Sequence, residues 1–212
     1  MGTPNVYGPA RRARRTDCRA RKADRTAPYV FAGQRGFTLV ELMIVVVIVS
    51  ILATLGVYGT RRYISSSKTG EAIQLIGSIK AAQEAYKDET FQYLDVSTAK
   101  TLTSNFYPTN PKPGQTKVMW GGGTDDVAKN WATLGVNPGG PVLFVYACSA
   151  GGVGDTPTNP GTDITVGSWP TTALGSPWYV VKAKADLSSG GKETVYVAPS
   201  FTTQIFSANE GE

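Results

Sequence analysis

The sequence predicts an α+β chain. A long N-terminal α-helix, transmembrane in its first half and amphipathic in its second, is expected to pack on a C-terminal antiparallel β-sheet. Three observations point there. An apolar run from Phe37 to Thr60 carries a single charge. Apolar residues at three- and four-residue steps follow it. Three β-branched and aromatic runs occupy the last third of the chain. With 41% hydrophobic and 17% charged residues among 212, there is apolar material for a core, which excludes a wholly disordered chain.

The apolar run reads FTLVELMIVVVIVSILATLGVYGT, without proline, and its one charge is Glu41. At about 1.5 Å per residue it reaches roughly 36 Å as a helix, enough to cross a hydrocarbon core of about 30 Å. A buried globular helix would show a polar face, and Leu42–Val49 has none. A cleaved secretory signal would be shorter and end at a small-residue site, whereas this run continues to Tyr58 and then Arg61-Arg62. The net charge of +5 belongs to the tail before the run. Residues 1–36 carry +7, from nine Lys/Arg against Asp17 and Asp24, and residues 37–212 carry −2. That asymmetry keeps the N-terminal side cytoplasmic and sends the rest outward.

Past the span, Ala72, Leu75, Ile76, Ile79, Ala82 and Tyr86 form an apolar stripe, with Lys68, Gln74, Lys80, Glu84 and Lys87 on other faces. No proline interrupts Phe37–Asp88, so one helix of about 50 residues, roughly 75–80 Å, is expected. Its segments are 37–60, spanning, and 61–90, amphipathic. Residues 91–212 form a β-rich head. Pro108, Pro111, Pro113, Gly114 and Gly121–Gly123 mark loops. Strands are expected at Val142–Ala147, Trp178–Ala185 and Thr194–Ala198, with Thr202–Phe206 a weaker fourth. Ser188-Ser189-Gly190-Gly191 reads as a hairpin turn, and Ala150–Ser176 as a long Gly/Pro/Thr loop.

Catalytic chemistry finds little footing. The chain has no histidine, which removes Ser-His-Asp and Cys-His nucleophile sets and most zinc sites. Neither GxxxxGK[ST] nor GxGxxG occurs. Asp125-Asp126 and the pair Asp155/Asp163 do not match a calcium-loop spacing and read as solvated loop charges. Of the tryptophans, Trp169 in the long loop is expected to be the most exposed. No enzyme, no cofactor, no metal site and no nucleic-acid partner are expected.

Glu41 is the residue that does not belong. A carboxylate at mid-depth in a spanning helix costs about 2.5–3.5 kcal/mol. Read from the residues alone, two explanations stand level. Glu41 is a favourable first-turn charge that compensates the helix dipole near the headgroups. Alternatively, it pairs with an N-terminal ammonium, on its own chain or a neighbour's, which a cut before Phe37 would create.

Gly36-Phe37-Thr38-Leu39-Val40-Glu41 and the apolar run after it resemble the signature of type IV pilins and type II secretion pseudopilins. The resemblance covers about 30 residues from Gly36. It implies a pilin fold and a prepilin whose leader, residues 1–36, is removed by an inner-membrane prepilin peptidase. The peptidase would cut between Gly36 and Phe37 and N-methylate Phe37. Glu41 would then neutralise the Phe37 amine of an adjacent subunit. The product would be a homo-oligomeric helical filament, raised from the bacterial inner membrane by a pilus or secretion assembly machinery. It would end as an extracellular pilus or a periplasmic pseudopilus, serving motility, adhesion, DNA uptake or secretion. A minor pilin or a pseudopilin is the alternative within the family. A membrane-anchored adhesin or binding domain that never polymerises is the alternative outside it.

The chain departs from the family in two places. Many members have a proline about 20 residues past the cut, where this chain has Tyr58 between Gly56 and Gly59. Ser50, Gly56 and Gly59 are therefore the expected places for helix loosening, or for close helix packing. Many major pilins also close a C-terminal loop with a disulfide. Here Cys18 would leave with the leader, and Cys148 would remain as a buried strand-end thiol.

Overall fold

The computed structural model describes residues 36–187 and 190–210, and the side chains of residues 61, 62 and 65 lie outside that description. The leader, Cys18, Arg35 and the Ser188-Ser189 half of the expected turn therefore fall outside the described residues. The chain divides into two units, Met1–Val46 and Val47–Glu212. Its elements run α1 (Leu39–Thr90), α2 (Asp126–Leu134), β1 (Val145–Gly151), β2 (Trp178–Ala185), β3 (Thr194–Pro199) and β4 (Phe206–Ala208).

In the second unit the four strands form one sheet in the order β1-β2-β3-β4, every neighbour antiparallel. Cys148 stands opposite Val181, Val181 opposite Ala198, and Val197 opposite Phe206. One face carries Tyr146, Cys148, Tyr179, Val181 and Tyr196 against Ala72, Leu75, Ile76 and Ile79 of α1 and Trp131 of α2. These are the expected stripe residues of α1, with Ala82 and Tyr86 partly buried beside them. Gln83, on the same face, is also fully buried although apolar spacing does not mark a polar side chain.

The other face is covered too. Ala147, Trp178, Val180, Val195 and Val197 pack under Leu102, Ile164, Val166, Trp169 and Leu174, most of which belong to the long Gly/Pro/Thr loop. An antiparallel sheet with one wet face alternates apolar and polar residues. Here the loop supplies a second layer, so β1 and β3 are buried at nearly every position. Lys182 fixes that layer. Its side chain is 1% exposed and its Nζ donates to the Pro160 carbonyl (2.5 Å) and to Asp163 Oδ1 (2.7 Å).

Several expectations are corrected. The first strand lies three residues later than Val142–Ala147, at Val145–Gly151. Val142 is instead paired with Val118, and the Leu143 N–H donates to Glu71 Oε1 of α1. The strand reaches Gly151 because that position sits against the Trp178 indole, where a Cβ would come within 2.5 Å of the ring. Cys148 is thus mid-strand rather than at a strand end. The fourth strand is Phe206–Ala208, not Thr202–Phe206. Helix α2 was not expected at all. Asp125 stands at its N-cap in extended backbone, Gly135 closes it at φ +74°, and Val127, Ala128, Trp131 and Leu134 face the core. Trp169 is partly buried, with its ring edge-on to Phe201 at 5.3 Å, rather than exposed.

Gly114 shows where backbone alone dictates residue type. It has φ +92°, and a Cβ there would collide with the Asp186 backbone. The Asp186 N–H donates to the Pro113 carbonyl at 2.8 Å, which stitches the proline-rich turn to the end of β2.

Candidate functional site

Helix α1 begins at Leu39, so Gly36, Phe37 and Thr38 precede it in irregular, exposed backbone. Thr38 is its N-cap: the Thr38 carbonyl accepts from the Leu42 N–H at 3.2 Å. The Thr38 hydroxyl accepts from the Glu41 N–H at 3.1 Å. In return, Glu41 Oε2 accepts from the Thr38 N–H at 3.0 Å and from the Thr38 hydroxyl at 2.8 Å. This is a reciprocal capping box of the T-x-x-E kind. It satisfies orphan donors at a helix start, where unmet backbone groups are costly in apolar surroundings.

Glu41 therefore has a third role beside the two open in the sequence. The T-x-x-E spacing of Thr38-Leu39-Val40-Glu41 is the sequence signal of that box, in which Glu41 acts as a hydrogen-bond acceptor as well as a charge. Phe37 is 83% exposed, and among the described residues nothing beyond its chain neighbours lies within 4 Å of a Cβ built at Gly36. The Gly36–Phe37 bond thus lies in open, non-helical backbone. Among the described residues, no packing demands glycine at 36.

The stretch Leu39–Thr60 is long and apolar enough to cross a membrane, with mean hydropathy 2.7 and no residue buried. Two of its hydroxyls turn inward on the helix backbone. Thr54 Oγ1 donates to the Ser50 carbonyl (2.9 Å) and Thr60 Oγ1 to the Gly56 carbonyl (2.8 Å). Such i→i−4 bonds remove polar demand from the helix surface. Ser50, Gly56 and Gly59 all lie inside unbroken α-helix. Among the described residues, a Cβ at Gly56 or Gly59 would meet nothing within 4 Å, so their packing does not call for small residues there.

In the head, Cys148 is buried in β1 and accepts from Gln83 Nε2 at 3.2 Å. Burial pushes its thiol up to about 12, partly offset by the Gln83 bond. Of the four acids read as solvated loop charges, three are ion-paired: Asp126 with Lys129, Asp155 with Lys100 (2.7 Å) and Asp163 with Lys182. Among the described residues, no three potential metal-binding side chains converge.

Comparison with known proteins returns to the N-terminal segment. Residues 32–57 match the prokaryotic N-terminal methylation motif. Over 57 residues the chain is 44% identical to the fimbrial protein EcpC of Eikenella corrodens, covering 26% of this chain and 37% of that protein. Over 73 residues it is 37% identical to the type IV major fimbrial protein FimA of Dichelobacter nodosus, covering 34% and 46%. Over 61 residues it is 39% identical to the type IV major pilin protein PilA of Myxococcus xanthus, covering 29% and 28%. The match thus spans less than half the length of each relative. No solved structure matches the chain. Through the methylation motif and the helix that follows it, the N-terminal segment of the chain is similar to that of these fimbrial and type IV pilin proteins.

Proposed function

We propose that this protein is a structural filament subunit made as a prepilin. Its leader is cut between Gly36 and Phe37, Phe37 is N-methylated, and the subunit polymerises through the apolar half of α1. Glu41 then meets the Phe37 ammonium of an adjacent subunit. One observation carries the reading: the methylation motif opens directly into a 22-residue helical stretch with no residue buried. Apolar surface on that scale needs a cover, first lipid and then neighbouring helices. In surroundings of low dielectric, an ammonium–carboxylate pair between subunits is strengthened and fixes their register. The head faces outward, and no catalytic role is assigned to it. The partners are further copies of the chain, a prepilin peptidase and an inner-membrane assembly machinery.

Mass spectrometry of the mature N-terminus tests the reading. An N-methylphenylalanine at Phe37 is the expected result. Protein recovered from cells with Gly36 and Phe37 still joined would overturn it and favour an anchored domain that never polymerises.

A further inference from the structure

We propose that the outer end of α1 docks on the neck of a second copy of this chain, with Asp88, Glu89 and Phe91 of one copy meeting Arg61, Arg62 and Tyr63 of the other. The inference rests on the filament reading above and adds a contact to it. Three local rules are broken between Asp88 and Phe91. Asp88 and Glu89 fall in the last turn of α1, where carboxylates meet the negative end of the helix dipole. Among the described residues, neither takes part in a salt bridge. Phe91 holds the left-handed closing position at φ +62°, which favours glycine and penalises a bulky side chain. Its ring is left 83% exposed. Local strain and like-sign electrostatics that the folded chain leaves uncompensated mark a surface made for contact.

The complementary surface is the neck, residues 61–68, between the apolar span and the head. The span ends at Thr60, and the first buried residue described on α1 is Thr69. The neck reads Arg-Arg-Tyr-Ile-Ser-Ser-Ser-Lys, with three bases and no acid. Tyr63 is 76% exposed and Ile64 50%. The outer end of α1 thus offers an aromatic ring beside two acids, and the neck offers an aromatic ring beside two bases. From Tyr63 to Thr90 the helix rises about 40 Å, so the contact sets parallel copies about that far apart along their axes. Because the two patches differ, each docked copy keeps one of them free. Such a heterologous contact propagates as an open filament instead of closing into a dimer.

The experiment expresses full-length variants in assembling cells and measures fibre mass in the sheared fraction. The thermal midpoint of the detergent-solubilised subunit is followed alongside. Asp88→Lys with Glu89→Lys should cut fibre mass roughly tenfold or more, because like charges then face each other. The same change sets cations at a helix C-terminus, so the midpoint should hold or rise, where a merely structural role would lower both. Arg61→Glu with Arg62→Glu should lose fibres to a similar degree, and all four substitutions together should restore them. Tyr63→Cys with Phe91→Cys should yield disulfide-linked multimers in sheared fibres, and neither cysteine alone should. Normal fibres from the Asp88/Glu89 variant, or no rescue by the fourfold variant, would overturn the docking. Loss in the arginine variant alone would assign the neck to lipid headgroups and overturn it as well. Absence of fibres from the unmodified protein would instead remove the filament reading beneath it.

Discussion

Gln83 of α1 closes the backbone of Leu94 with both ends of its amide: Nε2 donates to the Leu94 carbonyl at 2.8 Å, and Oε1 accepts from the Leu94 N–H at 3.0 Å. The same Nε2 reaches Cys148 Sγ in β1. Helix α1 ends at Thr90, and Phe91 follows at φ +62° with its N–H on the Lys87 carbonyl. The chain then turns back, and Gln83 is what fixes its return beside the sheet. A leucine at 83 fills similar space but leaves the two Leu94 backbone groups without these partners in a half-buried place. Gln83→Leu should cost about 2–3 kcal/mol in denaturant unfolding, and Gln83→Ala more, because a cavity is added. A cost below about 0.5 kcal/mol would mean that Leu94 has other partners.

Alkaline pH should weaken the head through three buried acids. The Cys148 thiol is pushed up to about 12 by burial. Burial also raises the Tyr146 hydroxyl, helped by nearby Glu71, and the Tyr179 hydroxyl, helped by Glu84. In each case the folded state holds the proton more tightly than the unfolded chain. Their contribution is therefore complete below the unfolded pKa, near 9 for the thiol, and is lost as pH rises toward the folded value. Stability against denaturant should change little from these groups up to about pH 8 and fall from pH 9 to 12. Cys148→Ala should flatten part of that fall. Iodoacetamide at pH 8 should label Cys148 in unfolded protein and spare it in folded protein.

Lys182 and Asp163 should respond unequally to mutation. The lysine is 1% exposed and the aspartate side chain 35% exposed. Asp163→Asn leaves a buried ammonium with a neutral amide and the Pro160 carbonyl, and should cost about 2–4 kcal/mol. Lys182→Met removes the buried charge and leaves a carboxylate that water can reach, so it should cost less than half as much. Equal costs would show that the pair acts as an ordinary surface bridge, as the exposed Lys129–Asp126 pair is expected to do. Limited proteolysis within residues 152–177 should speed up in Asp163→Asn, since the pair pins that segment to the sheet.

The parts of this fold that sequence made visible are those written in periodicity. The stripe from Ala72 to Tyr86 and the strand Trp178–Ala185 stand where spacing and β-branched content put them. What stayed hidden depends on a partner distant in sequence. Gln83 lies at the right helical angle, but its polarity hid its burial, because Leu94 and Cys148 are needed to explain it. The first strand was misplaced because Val142 and Leu143 look like strand residues and are spent on Val118 and Glu71. The loop of residues 152–177 reads as solvent-facing, since Gly, Pro and Thr do not announce a second core layer, and only Lys182 and Trp178 reveal one. At the motif itself, Glu41 was legible as an anomaly, yet its bonds to Thr38 emerge only when the first turn is built.

Gly77 offers a test of what demands small residues on the outer half of α1. It sits in the helix interior, exposed, and a Cβ there would meet nothing within 4 Å. Glycine inside a helix is worse than alanine by about 1 kcal/mol, from backbone entropy alone. Within one folded chain nothing repays that cost, so Gly77→Ala should stabilise the detergent-solubilised monomer by about 0.5–1 kcal/mol. The check is a thermal melt followed by circular dichroism, where the midpoint should rise by a few degrees. A fall in the midpoint would mean that α1 in the free subunit bends or packs at Gly77 in a way that alanine blocks.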